Sequence, residues 1–268
     1  MIKLYDLIKE QMEKPKAIIL AGAPGAGKGY VLGGLDLGNI KVLNVDNAYI
    51  DLLKKANVSL DLKNASPEDR SKAAIAMAAA NKEFKGKVAS TIEGKESFIL
   101  DGTAASVKQT TNLKKELEEA GYDVFMLYVY TDLERSLKQN EARFEKSGGK
   151  DRSLAPAIVL RTWSDVTSNY KTYQEMFKDN FVSVANTLED EKLSDVADII
   201  KKYLDPFKPT GTKPKTDAQK ARSAKQREEL NAKVKELLSN DNVNMIINNS
   251  VSKEEAQTKL KQFLNSWV

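Results

Sequence analysis

The chain has 268 residues, 41% of them hydrophobic and 30% charged, which is enough for one core of roughly 150–250 residues with an appendage. It contains neither cysteine nor histidine, so disulfides, thiol nucleophiles, Cys/His zinc sites and any Ser-His-Asp triad are excluded, and acid–base chemistry falls to Asp, Glu, Lys or Tyr. The net charge of +4 is local: residues 1–204 hold thirty basic and thirty acidic side chains, residues 205–268 twelve and eight, so the basic balance is no argument that the body binds nucleic acid.

In chain order, the N-terminus (MIKLYDLIKEQMEKPK) is amphipathic rather than signal-like, and no apolar run reaches 18 residues. A cytoplasmic protein without membrane contact is expected. Short apolar runs at Ala17–Leu20, Val42–Val45, Phe98–Leu100, Val124–Val129 and Phe181–Val184 suit strands buried on both faces. Helical patterns fall at 28–37, 47–56, 67–90, 106–120, 132–146, 155–177 and 190–204. The segment from 67 opens on Ser66-Pro67, a serine cap with proline at the first helical position. This alternation over residues 1–204 predicts a three-layer α/β domain with a mainly parallel sheet, whose ligands bind at the carboxyl ends of the strands.

The first strand runs directly into Gly22-Ala23-Pro24-Gly25-Ala26-Gly27-Lys28-Gly29, with a helix predicted from the lysine. This is G-x-x-x-x-G-K, the loop that wraps phosphate oxygens with backbone N–H groups while the lysine meets the β/γ-phosphates. Most such loops place Ser or Thr after the lysine to hold Mg²⁺. Here Gly29 and Tyr30 follow, both expected among the nucleotide-binding residues with 22–28, so Mg²⁺ is expected to rest on water and the nucleotide's own phosphates. The run GAPGAGKG resembles the adenylate-kinase loop, in which Gly also follows the lysine and a threonine stands where Tyr30 is.

Strand two ends at Asn44-Val45-Asp46, on the same rim as the loop. Asp46 there can take a proton from an attacking hydroxyl or orient it, or else cap the next helix. Asp51 reads as a solvated helix residue. Strand three ends in Asp101-Gly102-Thr103, a Walker B pattern that bears on Mg²⁺ through its water shell. Thr103 either touches substrate or caps the helix near Ser106. Four of the seven arginines fall between Arg135 and Arg161, and Arg143 and Arg152 flank Ser147-Gly148-Gly149. Two glycines between helices predict a hinged flap whose arginines close on a transferring phosphoryl group. The alternative is that they pair with Glu141, Glu145 and Asp151.

Three prolines within Asp205–Thr216 mark an extended linker, followed by a polar helix at 217–238, a turn-like SNDNVN and a short helix from Ser252 to Val268. The apolar side chains of 217–268, Leu230 to Trp267, must dock on the kinase body or on a partner, or stay mobile. A partner-binding helix pair is favoured, through self-association or another protein, with nucleic acid possible but not favoured. Catalysis is expected to survive truncation at 205.

The loop GAPGAGKG, Asp46, ILDGT at 99–103, LEEAGYDVFMLYVYTDLERSLKQNEAR with Arg143, the flap arginine Arg152 and FVSVAN together resemble the zeta-toxin-like and polynucleotide-kinase-like P-loop kinases over roughly residues 15–205. That resemblance implies five parallel strands in the order 2-3-1-4-5 and an acidic base at Asp46. It also implies phosphate-gripping lid arginines and transfer of the γ-phosphoryl of ATP or GTP to a hydroxyl on a nucleotide sugar, a nucleic-acid end or a small molecule. The composition would also suit a phage protein. A catalytically weak, nucleotide-gated assembly protein is the second reading. A motor ATPase is the third, weakened because Asp101-Gly102 lacks the following glutamate.

Overall fold

The computed structural model describes residues 14–33, 35, 40–187, 216–239 and 241–265. Strand β1 (Lys16–Ala21) is buried along its whole length because it lies at the centre of the sheet with helices on both sides. The other strands are β2 (Lys41–Asn44), β3 (Phe98–Asp101), β4 (Asp123–Tyr130) and β5 (Phe181–Ala185). All neighbours pair in parallel, and the order is β2-β3-β1-β4-β5, as the resemblance implied. The register sets Asn44 beside Asp101 and Asp101 beside Leu20. Both polar residues therefore arrive on the carboxyl rim where the glycine loop begins.

The helices are α1 (Lys28–Leu32), α2 (Val45–Lys55), α3 (Pro67–Glu93), α4 (Val107–Glu119), α5 (Leu133–Lys146), α6 (Pro156–Ser168) and α7 (Tyr170–Phe177), then α8 (Asp217–Ser239), α9 (Asp241–Asn248) and α10 (Lys253–Asn265). Ser66 accepts from the Asp69 amide at the start of α3, with proline at the first position, as its sequence predicts.

Four expectations are corrected. The helix expected over 28–37 ends at Leu32, because Gly33 turns to extended backbone. Val45 opens α2 instead of closing β2, since the Asn44 side chain accepts from the Asp46 amide and caps the helix earlier than expected. The pattern at 155–177 is two helices, broken at Asn169, whose side-chain amide donates to the Ala105 carbonyl at 3.0 Å. Of the SNDNVN stretch, Asp241 to Asn244 are helical: Val243 and Ile246 are three residues apart on α9 and both are buried, so packing rewards the helix. The helix expected at 190–204, most of the 205–216 linker and Trp267 lie outside the described residues.

One sheet face packs Ile19, Met126 and Tyr128 against Trp163 and Tyr170, joined by Val234 and Leu237 of α8 and by Val243 and Ile246 of α9. The other packs Ile18, Leu20, Phe125 and Leu127 against Ala256, Leu260 and Leu264 of α10. Between them the Val251 amide donates to the Ser183 carbonyl at 2.8 Å, extending the β5 edge by one bridge. The chain beyond the linker thus spends its apolar side chains on both faces of the sheet. No helix among the described residues is long and apolar enough to cross a membrane.

Candidate functional site

The phosphate loop is shaped by backbone that only glycine adopts without strain. Gly25 and Gly27 have φ of +77° and +88°, and a Cβ on Gly27 would stand 2.3 Å from Asn186 Nδ2. That asparagine, on the segment after β5, braces the loop: Nδ2 donates to the Ala26 carbonyl at 2.9 Å, while its own carbonyl accepts from Arg135 Nη1 at 2.9 Å. Buried Ser136 donates to the Pro24 carbonyl at 2.6 Å. Gly22 N–H donates to the Thr103 carbonyl, tying loop to β3. Ser136 and Asn186 lie in stretches that carry the resemblance, but their part in bracing the loop is not legible there, because each acts from more than 100 residues away.

Lys28 folds back over the loop, with Nζ 3.1 Å from the Gly22 carbonyl and 3.4 Å from that of Ala23. Burial lowers its pKa, Asp101 and Asp46 oppose that, and Arg143 adds to it. An ammonium that is desolvated and hydrogen-bonded to neutral carbonyls gains strongly from an incoming phosphate.

The carboxylates are linked by Asn44, for which the strand pattern of the sequence predicts no role. Its Oδ1 accepts from the Asp46 amide and its Nδ2 donates to Asp101 Oδ2, both at 2.6 Å. The signal was present: an asparagine two residues ahead of Asp46 is a preferred helix cap. Asp46 is therefore relieved of the capping role considered for it. Its Oδ1 accepts from Arg152 Nη2 at 2.6 Å, and Oδ2 lies 4.0 Å from Arg143 Nη2. Arg143 pairs through Nε with Asp151, one of the surface pairings foreseen, whereas Glu141 pairs with Lys63. Arg152 is 8% exposed, sits 5.4 Å from the Tyr49 ring centroid, and has a buried Nε with no hydrogen-bond partner. Burial, with Asp46 adding and Arg152 opposing, raises the pKa of Tyr49. Arg161 is exposed and pairs with Asp165 one turn along α6. Asp51 is exposed, and Ser106, not Thr103, caps α4.

The expected hinged flap is a tied one. Gly148 and Gly149 have φ of +61° and +76° and close the end of α5 through bonds to Glu145 and Phe144. Past them, Ser153 N–H donates to the Leu60 carbonyl and its hydroxyl donates to Asp61 Oδ1 at 2.8 Å. Asn140 bonds both the N–H and the carbonyl of Leu154. Arg152 is held in place by the two residues that follow it.

These groups share one cleft of about 1650 Å³, running from Gly27, Lys28 and Tyr30 past Asp46 and Arg152 to Arg70 and Met77 on α3. For Mg²⁺ the donor set is sparse. Gly29 offers no hydroxyl, and no cluster of three acidic residues stands together among the described residues. Asp101 suits an ion that keeps most of its water and rests on phosphates. A Cβ on Gly29 would meet nothing within 4 Å. Gly29→Ser is therefore expected to fold with a stability change under about 1 kcal/mol and to lower the Mg²⁺ concentration needed for half-maximal activity. Thermal melts and a Mg²⁺ titration check both parts.

Parallel strands in this order, with the glycine loop leading into a lysine at β1, define the P-loop kinase-like α/β fold. A model of the Zeta toxin family matches residues 3–193, and the chain belongs to that family. The match stops short of α8–α10. No curated protein sequence matches the chain. Among solved structures, the native AvrRxo1-ORF1:-ORF2 complex is 16% identical, covering 94% of this chain and 81% of that one at a TM-score of 0.53. AvrRxo1-ORF1:-ORF2 with ATP is 14% identical, covering 97% and 83% at 0.51. The PezAT chromosomal toxin–antitoxin system of Streptococcus pneumoniae is 16% identical, covering 85% and 88% at 0.49.

Proposed function

We propose that the protein transfers the γ-phosphoryl group of ATP or GTP, with Mg²⁺, to a hydroxyl of a small or nucleotide-like acceptor: a nucleotide sugar, a nucleoside or a polynucleotide end. The observation that carries this reading is Arg152. It is buried, with one nitrogen on Asp46 and another without a partner, in the cleft that holds Lys28. A buried donor left unpaired costs about 1–3 kcal/mol, which a phosphate oxygen would recover. Family membership and the ATP complex of a similar fold support nucleotide binding.

In this reading the triphosphate lies on Gly22, Ala23, Pro24, Gly25, Ala26, Gly27, Lys28 and Gly29. Lys28 turns from the carbonyls to the β/γ-phosphates. The acceptor oxygen attacks Pγ in line, the bond from Pγ to the β,γ-bridging oxygen breaks, and the hydroxyl proton passes to Asp46. Each Asp46 oxygen retains a lone pair beyond its arginine contact. Arg143 and Arg152 stabilise the charge on the transferring group. Asp101 would hold Mg²⁺ through water, and the ion would supply neutralisation of phosphate charge.

Changing Lys28 to Ala removes a charge-assisted contact worth about 1.5–3 kcal/mol, so calorimetry should show ATP binding weakened more than tenfold. Unchanged affinity would dismiss the phosphate site. The second reading, a nucleotide-gated assembly protein of little activity, is favoured by Gly29 in the magnesium position. It predicts tight ATP binding with no transfer to any hydroxyl acceptor offered. A similar fold solved as the AvrRxo1-ORF1:-ORF2 complex supports a protein partner for either reading.

A further inference from the structure

Tyr49, Tyr122, Tyr128, Tyr130, Tyr170 and Tyr173 are all buried, yet Tyr30, two residues past the phosphate-loop lysine, is 64% exposed and lines the cleft. Its ring is not left loose. Lys253, the first residue of α10, sets its ammonium 3.8 Å from the ring centroid. The helix that carries Lys253 is itself fixed on the loop. Gln257 Nε2, one turn on, donates to the Val31 and Gly33 carbonyls at 2.7 and 2.9 Å, which satisfies the end of α1. Ala256 and Leu260 are buried in the cluster that includes Ala26 and Val31. A cation over one face of an aromatic ring holds it in place at little entropic cost and leaves the other face for a second partner.

We infer that Tyr30, braced by Lys253, is the platform on which the base of the nucleoside triphosphate stacks, so that α10 completes the nucleotide site from beyond the linker. This rests on the reading that the triphosphate lies on the loop at 22–29. Tyr30 stands two residues past Lys28 and lines the same cleft as the loop, so a base attached to phosphates seated on the loop comes within reach of its ring. Stacking accepts any base, because every base has a π-face. ATP and GTP should therefore bind with similar affinity. The same geometry accounts for two features at once: an aromatic residue where the related loop has threonine, and a C-terminal helix that the family match does not cover.

The test is calorimetry on the full chain with ATP, GTP and inorganic tripolyphosphate, which carries the phosphates without a base. Tyr30→Ala should weaken ATP and GTP roughly 5- to 100-fold, the range of aromatic–base stacking, and leave tripolyphosphate affinity unchanged. Tyr30→Phe should bind all three as the native chain does. Lys253→Met should weaken ATP and GTP by a smaller factor and spare tripolyphosphate. Equal losses for ATP and tripolyphosphate in Tyr30→Ala, or no loss for either, would overturn the inference. Lys28→Ala separates the two levels. If it weakens all three ligands while Tyr30→Ala weakens none, only the platform fails. If Lys28→Ala weakens none of them, the placement of the triphosphate fails and the platform with it.

Discussion

Replacing Asp46 by asparagine is expected to leave ATP affinity within a few-fold of the native value and to lower phosphoryl transfer by roughly 10²–10⁴, the scale of a lost general base. The variant keeps the shape of the side chain and one oxygen for Arg152, so the 2.6 Å contact that orients the arginine can persist. What disappears is the carboxylate that takes the proton. Arg152→Lys gives the complementary result. It keeps a positive charge near Asp46 but loses the planar fork, so transfer falls with the fold intact. Because the two side chains touch, the double variant should lose less than the product of the single losses. An Asp46→Asn enzyme with native turnover would reduce Asp46 to an anchor for Arg152.

Cutting the chain after residue 205 is expected to abolish both nucleotide binding and the cooperative thermal transition. This reverses the outcome that the linker and polar helix first suggest. Val243, Ile246, Leu260 and Leu264 are buried on helices packed on the β5 edge of the sheet, and Val234 and Leu237 on α8, which packs on α6 and α9. At about 1.5–3 kcal/mol for each side chain, their loss is comparable to the whole stability of a domain, about 5–15 kcal/mol. The cut would also bare Phe125, which now packs on Phe263 with ring centroids 4.9 Å apart. It would free the α1 carbonyls that Gln257 satisfies. Circular dichroism melts of the truncated and full chains make the comparison. A truncated protein that melts cooperatively near the native temperature and still binds ATP would show that α8–α10 are dispensable to the body.

What could be read without coordinates is what rests on neighbours in sequence. The phosphate loop is eight consecutive residues whose glycines, lysine and flanking apolar strand all lie within one local turn. Strands β1 and β4 were legible because a parallel strand buried on both faces is apolar throughout and needs no partner to be recognised, whereas β2, expected to be buried in the same way, is the edge strand and leaves Val42 46% exposed. The Ser66-Pro67 start of α3 was legible for the same reason, since a cap is a contact over three residues. Tertiary structure decided whatever depends on a partner far along the chain. It made Asn44 the hinge between two carboxylates, because the register places β2 beside β3. It turned the two-glycine flap into a tied segment, because Ser153 meets the loop after α2 across 90 residues. It also took the polar-looking segment beyond residue 216 into the body. Among the described side chains of α8 only Val234 and Leu237 are fully buried, and a sparse apolar face spaced along a charged helix does not announce what it will cover until α6 is there to receive it.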